Sequence, residues 1–225
     1  MPCSGDPAVG DTFSMGAERE HEPVLLVVGL LTGCPEAVAW VEQRLGQAFG
    51  PVLAKGGPFA FTESDYYART MGQGLAFRFF AFQNLIRPEW LGPIKRYTNR
   101  LETTYAVHAQ HGELPGGHLL RPINLDPGYL HHSKWIMATT KDQSHRVYLG
   151  EGIYADPMLH FVRGRWQPWP WTYPNYRRAD YLELFATLRS LYLEQRKRWQ
   201  RGEIAVRATF LELSPPEPDP VATPD

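Results

Sequence analysis

The sequence predicts an α/β protein of the α+β kind. It has a ferredoxin-like split βαβ core, an extended C-terminal antiparallel sheet and a closing helix. A continuous apolar run at residues 24–31 is typical of a strand buried on both faces. The predicted order from there to residue 125 is strand, helix, strand, strand, helix, strand, which fits a split βαβ unit. Short strand patterns then follow, before a last amphipathic helix.

The first elements are marked by clear start and stop signals. After the strand at residues 24–31, Pro35 suits the first position of a helix whose apolar residues recur at helical spacing. Gly50 and Pro51 end that helix. Strands are then predicted at residues 52–61 and 74–82, the second of them rich in phenylalanine.

The second half begins with a helix opened by Pro88 and ended by the glycine cluster at residues 112–117. Strands are predicted at residues 118–125, 134–139, 146–154 and 158–162, with a hairpin turn at Gly164. A helix with apolar positions from 181 to 192 ends in a basic stretch, which suits a helix C-terminus. The later strands either extend the first sheet or form a second one.

The ends of the chain differ in composition from the middle. Residues 1–22 are small and polar without periodicity, and residues 214–225 are rich in proline, so both are predicted to be disordered. A single domain is predicted over residues 23–213. The first segment lacks the basic start of a signal peptide, and Cys3 and Cys34 are the only cysteines. A cytoplasmic location is therefore expected.

Charge and hydropathy restrict the classes of partner. The chain has 23 basic and 24 acidic residues, so no global charge favours nucleic acid or an anionic membrane. Its longest apolar stretch, residues 23–31, is too short to span a bilayer. The expected partner is a small anionic or phosphorylated ligand, with no membrane and no nucleic acid. The oligomeric state is not indicated.

Polar residues are concentrated between Asn124 and Arg177, at predicted strand ends and turns, where binding residues usually lie. Asp126 precedes Pro127 and Gly128, which is the composition of a β-turn. One interpretation makes Asp126 a metal ligand or general base at the mouth of a strand. The other has its carboxylate accept backbone N–H groups of its own turn.

Several cations of this stretch could surround a phosphate or carboxylate. Lys134, Lys141 and Arg146 are the main candidates, with Arg177 and Tyr129 as further ligand-binding residues. The alternative is that the segment from Lys141 to Arg146 is a solvated hairpin.

His145 titrates near neutral pH when unperturbed, so it is a candidate acid or base, although a single histidine beside a hairpin is more often structural. Magnesium is the metal that Asp126, Asp65 and Glu151 would hold, since it prefers oxygen ligands. His131 and His132 are not expected to share a metal ion, because neighbours on a strand point to opposite faces.

Two further features could bind a ligand or could serve only the packing of the fold. Gly150 and Gly152 do not form a phosphate-binding loop and are interpreted as a bulge or close backbone approach. The aromatic tract at residues 166–176 is either a wall for a planar ligand or a cover over the sheet. Packing is the favoured interpretation.

These stretches resemble a bacterial and archaeal family, the domain of unknown function 4416 family, over roughly residues 23–192. The resemblance rests on Val28-Gly-Leu-Leu31, Ser64-Asp-Tyr-Tyr67 with Met71-Gly72, Lys95-Arg-Tyr-Thr-Asn99, Asn124-Leu-Asp-Pro-Gly-Tyr-Leu130, Ala138-Thr-Thr-Lys-Asp142, His145-Arg-Val-Tyr-Leu-Gly150, Gly152-Ile-Tyr-Ala155 and Pro170-Trp-Thr-Tyr-Pro174. It implies no assigned activity. Some members carry the label "GTP-binding protein", but this chain has neither a Walker A loop nor an Asn-Lys-x-Asp motif.

Three functions stay open at this level. The first is a binding module for a phosphate-bearing or other anionic small molecule. The second is a metal-dependent enzyme acting on a phosphorylated or nucleotide substrate. The third is a protein-interaction domain that uses its aromatic tract.

Overall fold

The computed structural model describes residues 20–62, 67–204 and 206, which form one antiparallel sheet covered by helices. The strands are β1 (Val24–Thr32), β2 (Val52–Ala60), β3 (Ala76–Ile86), β4 (Ile123–Leu130), β5 (Lys134–Thr139), β6 (Val147–Gly150), β7 (Ile153–Val162) and β8 (Arg165–Pro168). The α-helices are α1 (Ala37–Phe49), α2 (Ala68–Met71), α3 (Leu91–Gln110) and α4 (Ala179–Gln200). Short 3₁₀ turns at Pro88–Trp90 and Pro174–Arg177 precede α3 and α4.

The strand order is β2-β3-β1-β4-β5-β7-β6, and β8 pairs with β7. Every neighbouring pair is antiparallel. The α+β class, the C-terminal extension of the sheet and the closing helix are therefore confirmed, and the later strands join the first sheet. The ferredoxin-like description of the core stays a prediction.

The sheet lies between two helical layers, because successive residues of its central strands point to opposite faces and both faces are apolar. Even-numbered residues of β1 such as Leu26 and Leu30 pack with α1 and α3, while Leu25 and Val27 pack with α4. All of β1 is buried, as its continuous apolar run predicts.

The strand prediction at residues 118–125 is wrong in its first part. Leu119 N–H closes a turn on Gly116 O, and Arg121 N–H bonds Thr70 O outside the sheet. Pro122, which has no N–H to donate, separates this turn from β4.

The β-turn interpretation of Asp126-Pro127-Gly128 is also wrong, because these residues lie inside β4. Leu125, two residues before Pro127, points its N–H and C=O away from β1 and towards side chains of α3. The nitrogen of Pro127 faces the same side, since backbone direction alternates along a strand. On that side β4 has no strand partner at Pro127, so the proline removes no ladder hydrogen bond.

The predicted strand at residues 146–154 is a hairpin instead. Glu151 and Gly152 both have positive φ, 51° and 76°, and connect β6 to β7 as the second and third residues of a tight turn. Asp156 and Pro157 do not end β7, because the register with β5 shifts beside them and absorbs the proline.

The predicted tail at residues 214–225 lies outside the described residues, as do residues 1–19 of the predicted leader. Glu22, the last residue of that leader, forms an ion pair with Arg196 of α4 at 2.6 Å. Among the described helices, none is long and apolar enough to cross a membrane.

Replacing a glycine by alanine should have opposite effects on stability at two positions, one in the sheet and one in the helix α1. A Cβ on Gly128 would lie 2.4 Å from the ring of buried Trp135 and 2.5 Å from Ile136 O. A Cβ on Gly46, inside α1, meets nothing within 4 Å. We expect Gly128→Ala to lower the free energy of unfolding by about 1–3 kcal/mol through overpacking.

We expect the control Gly46→Ala to raise that free energy by about 0.5–1 kcal/mol, because glycine costs helix entropy. Urea denaturation of the two variants measures both values. Equal stability of Gly128→Ala and the wild type would contradict the close packing of β4 on Trp135.

Candidate functional site

The site lies where β4 and β5 separate. The two strands pair only from Gly128↔Met137 to Leu130↔Trp135, so the first half of β4 has no partner on that side. Side chains from α3 bond the open edge instead. Glu102 accepts the N–H of Leu125 at 2.8 Å, and Lys95 donates to its carbonyl oxygen at 2.6 Å. These two hydrogen bonds satisfy the N–H and C=O groups of Leu125, which have no partner in β5.

Lys95 is the central cation of this opening. Its side chain is only 5% exposed, and its Nζ lies 3.1 Å from Asp126 Oδ1. Asn124 donates to the other oxygen of Asp126 at 2.6 Å. Asn124 and Asp126 share a face of β4 because alternate residues of a strand point the same way. The Asp126 carboxylate is thus held by two donors while 23% of its surface stays open.

A second ion pair borders the first. Arg121 donates to Glu102 Oε2 from Nη2 at 2.7 Å and from Nε at 3.0 Å, and it also bonds Asn124. Burial raises the pKa of Glu102, against the opposing pull of Lys95 and Arg121. Side chains from α3, from the segment before β4 and from β4 itself therefore form one continuous polar network.

These residues line a two-part cleft. An apolar chamber of about 230 Å³ is formed mainly by rings and Met137, and it continues into a polar recess of about 100 Å³. The chamber is lined by Phe61, Tyr67, Phe77, Asp126, Met137, Lys141, Tyr173, Pro174, Asn175 and Tyr176. The recess shares Tyr67, Asp126, Met137, Lys141 and Tyr173, and adds Lys95, Asn99, Arg121, Asn124, Thr139 and Thr140.

Most of the chain matches a known protein family. A family model described as "Domain of unknown function (DUF4416)" matches residues 22–192. The chain belongs to the DUF4416 family. Its matched region contains all the cleft-lining residues. No curated protein and no solved structure matches the chain.

Behind the cleft of this DUF4416 domain is a third set of charges, around Asp156. Its side chain is 1% exposed, and Oδ2 accepts from Arg146 Nε at 2.8 Å. Oδ1 lies 3.3 Å from His145 Nε2, in a contact that lacks hydrogen-bond geometry. Burial raises the pKa of Asp156, and the charges of Arg146 and His145 oppose that rise.

Arg146 connects Asp156 to the cleft wall. Its guanidinium donates to Tyr173 Oη at 2.6 Å and to Lys141 O at 2.8 Å. Both Tyr173 and Lys141 line the cleft, whereas the Arg146 side chain is only 4% exposed. Arg146 therefore positions two lining residues and does not itself face the cleft.

The predicted site residues separate into two groups. Asp126 and Lys141 meet in the cleft. Neither part of the cleft is lined by the other described candidates, which are Tyr129, Lys134, His145, Arg146, Glu151 and Arg177. Lys134 begins β5, at the opposite end of that strand from the cleft.

The magnesium set is not assembled among the described residues. Glu151 lies in the β6–β7 turn and pairs with Arg96 of α3, and Asp65 falls outside the described residues. Of the two members that the structure describes, Asp126 lines the cleft and Glu151 does not.

The aromatic tract covers the end of the sheet, which agrees with the favoured packing interpretation. Trp169 and Trp171 stack with ring centroids 5.4 Å apart, and Trp171 stacks on His145 at 4.7 Å. Arg177 donates to the carbonyl oxygens of three residues of the tract, Trp169, Pro170 and Thr172. Only the end of the tract, at residues 173–176, reaches the cleft.

Sequence reasoning missed Lys95 and Arg121 as site residues. A signal for Lys95 was present, because it occupies the buried stripe of α3 together with Leu91, Ile94 and Thr98. A lysine inside an apolar helical stripe needs a buried partner. Arg121 sits in the segment that was predicted to be a strand, so its direction was not evident.

The coupling between Lys95 and Asp126 can be measured. We expect Lys95→Met to lower the free energy of unfolding by about 2–4 kcal/mol, because it leaves Asp126 without its cation and Leu125 O without a donor. Asp126→Asn should cost less, since the amide keeps a hydrogen-bond acceptor.

The double variant should lose less than the sum of the two single losses, by about 0.5–3 kcal/mol. Urea denaturation of all four proteins completes the cycle. If the double variant loses as much stability as the two single variants together, the pair does not interact energetically.

Proposed function

We propose that this DUF4416 domain binds a small molecule that carries an anionic group, such as a phosphate, together with a flat apolar group. The observation that supports this is the joining of an aromatic chamber to a recess lined by cations. A ligand site of this kind combines apolar walls with a few oriented polar groups. A cytoplasmic location is part of the proposal and rests on the cysteine usage of the sequence.

The anionic group would occupy the recess. Lys95, Arg121 and Lys141 line it, and Asp126 is the one carboxylate among the described residues that do so. The Arg121 side chain is 39% exposed although it pairs with Glu102, so part of its guanidinium fork is accessible to a ligand. Arginine binds phosphate and carboxylate groups in this forked geometry.

The flat group would occupy the chamber. Phe61, Phe77 and Tyr176 supply ring surfaces, and Met137 supplies an adaptable apolar side chain. Burial raises the pKa of Tyr176 well above its ordinary value, so its hydroxyl stays protonated at neutral pH. Tyr67 and Tyr173 border both parts of the cleft and would contact the middle of the ligand.

A second candidate function is an enzyme that acts on the same phosphorylated ligand, with a magnesium ion as its cofactor. It is favoured by Asp126, whose partly open carboxylate is oriented by Lys95 and Asn124 at the centre of the cleft. His145 would act only through Asp156 and Arg146, because it does not line the cleft. Product formation in the presence of Mg²⁺ would distinguish this candidate from simple binding.

The binding proposal is tested by comparing a whole ligand with its parts. We expect nucleoside monophosphates to raise the thermal midpoint more than a nucleoside or ribose 5-phosphate at the same concentration, because only the whole ligand fills both parts of the cleft. Isothermal titration with and without Mg²⁺ gives the affinities. Equal, negligible effects of all three compounds would contradict the proposal.

Lys141→Met and Lys134→Met form a matched pair of variants. Each removes one lysine charge beside an end of β5, but only Lys141 lines the cleft. We expect Lys141→Met to weaken binding by about 5–30-fold, the effect of losing one or two kcal/mol. Lys134→Met should bind like the wild type, and an equal loss in both would place the ligand elsewhere.

A further inference from the structure

A histidine cluster lies at the opposite end of β4 from the cleft. The turn between β4 and β5 contains His131, His132 and Ser133, and it is closed by a hydrogen bond from His131 N to Lys134 O at 2.9 Å. The rings of His131 and His132 are 3.9 Å apart between centroids. The expectation that they point to opposite faces is wrong, because they lie in a turn and not in a strand.

Strand pairing brings Glu22 to the same place. Leu25 pairs with Leu130 in the antiparallel register of β1 and β4. The residues before Leu25 therefore run alongside the residues after Leu130. One ligand atom each from Glu22, His131 and His132 lies within 4.8 Å of the others.

Burial makes this cluster unlike a set of surface histidines. His131 is 8% exposed, and its Nδ1 contacts Ser133 Oγ at 3.1 Å. The Nδ1 of His132 is buried and has no hydrogen-bond partner among the residues that the structure describes. A buried imidazole nitrogen without a partner is costly, and a metal ion would satisfy it.

An ion pair with α4 orients the third ligand, Glu22. Arg196 donates to both oxygens of Glu22 at 2.6 Å and fixes the orientation of that carboxylate. A carboxylate held in this way can bridge the guanidinium and a metal ion.

We propose that Glu22, His131 and His132 bind one divalent transition metal ion of the zinc type. Two imidazoles and a carboxylate suit such an ion better than magnesium or calcium, which prefer oxygen ligands. Ligand atoms around tetrahedral zinc lie about 3.3 Å apart. The three ligand atoms here lie within 4.8 Å of one another, so side-chain rotations that shorten these distances by at most about 1.5 Å would complete the site.

His21 lies next to the cluster but outside the group of three ligand atoms, and a rotation of its ring would be needed for it to supply a fourth ligand. Its ring centroid is 5.0 Å from that of His131, and its Nδ1 contacts the Glu22 carbonyl oxygen at 2.7 Å. With Nδ1 as donor in that bond, Nε2 keeps its lone pair for a metal. The bound ion would fasten the segment before β1 to the β4–β5 turn and, through Arg196, to α4.

The test uses the full chain without an affinity tag, freed of metal by a chelator and then titrated with Zn²⁺ against a chromophoric competitor. We expect one Zn²⁺ per chain, and a Co²⁺ absorption spectrum typical of nitrogen and oxygen ligands. His131→Ala and His132→Ala should each weaken Zn²⁺ binding by 10-fold or more. His118→Ala is the matched control, because His118 is exposed and outside the cluster.

Glu22→Gln provides a variant that keeps the side-chain volume and an acceptor for Arg196, and circular dichroism checks that each variant is folded. We expect its Zn²⁺ affinity to fall at least several-fold while its fold is unchanged. The proposal is overturned if the chain takes up no Zn²⁺ at a one-to-one ratio, or if the histidine variants bind like His118→Ala. Lys141→Met should bind Zn²⁺ normally, so this outcome is independent of the ligand cleft.

Discussion

The separation of β4 from β5 on the N-terminal side of Gly128 is the constraint on which the site depends. A strand that leaves its neighbour exposes backbone N–H and C=O groups, and these must be bonded if they are buried. Here α3 supplies the replacement, with Glu102 and Lys95 bonding the two backbone groups of Leu125. Lys95 also lines the recess, and Glu102 pairs with Arg121, which lines it as well. The side chains that bond the unpaired backbone of β4 therefore also position the charges of the cleft.

Buried charge is matched on both sides of the cleft. On one side Lys95 faces Asp126 and Arg121 faces Glu102. On the other side Asp156 is held by Arg146, which in turn bonds Tyr173 and the Lys141 carbonyl. Breaking one partner of such a pair is costly, so the networks keep the lining side chains in fixed positions. Fixed polar groups lower the cost of ordering a site when a ligand binds.

The two proposed sites use opposite ends of β4. The cleft lies beside the half of β4 that has no partner in β5, and the histidine cluster follows the half that is paired. Because β1 is buried between the helical layers, β4 is anchored along its whole length by β1. The ends of a strand held in this way are well positioned to carry functional side chains, as rigid scaffolds generally do.

The sequence by itself determined the α+β class, the buried central strand and the closing helix, because hydrophobic periodicity reports burial directly. Its concentration of polar residues also pointed to Asp126 and Lys141, and these two residues line one cleft. The family membership, too, was visible in the order of short motifs.

Only the tertiary structure decided the remaining features. Asp126-Pro127-Gly128 has the composition of a turn but lies in a strand, since its proline faces the gap beside β4. Lys95 enters the site from α3, far from Asp126 in sequence, and Arg121 is held there by Glu102 of the same helix. His131 and His132 come together with Glu22 through strand register. These outcomes depend on contacts between distant segments, and local composition carries no information about which distant segments will meet.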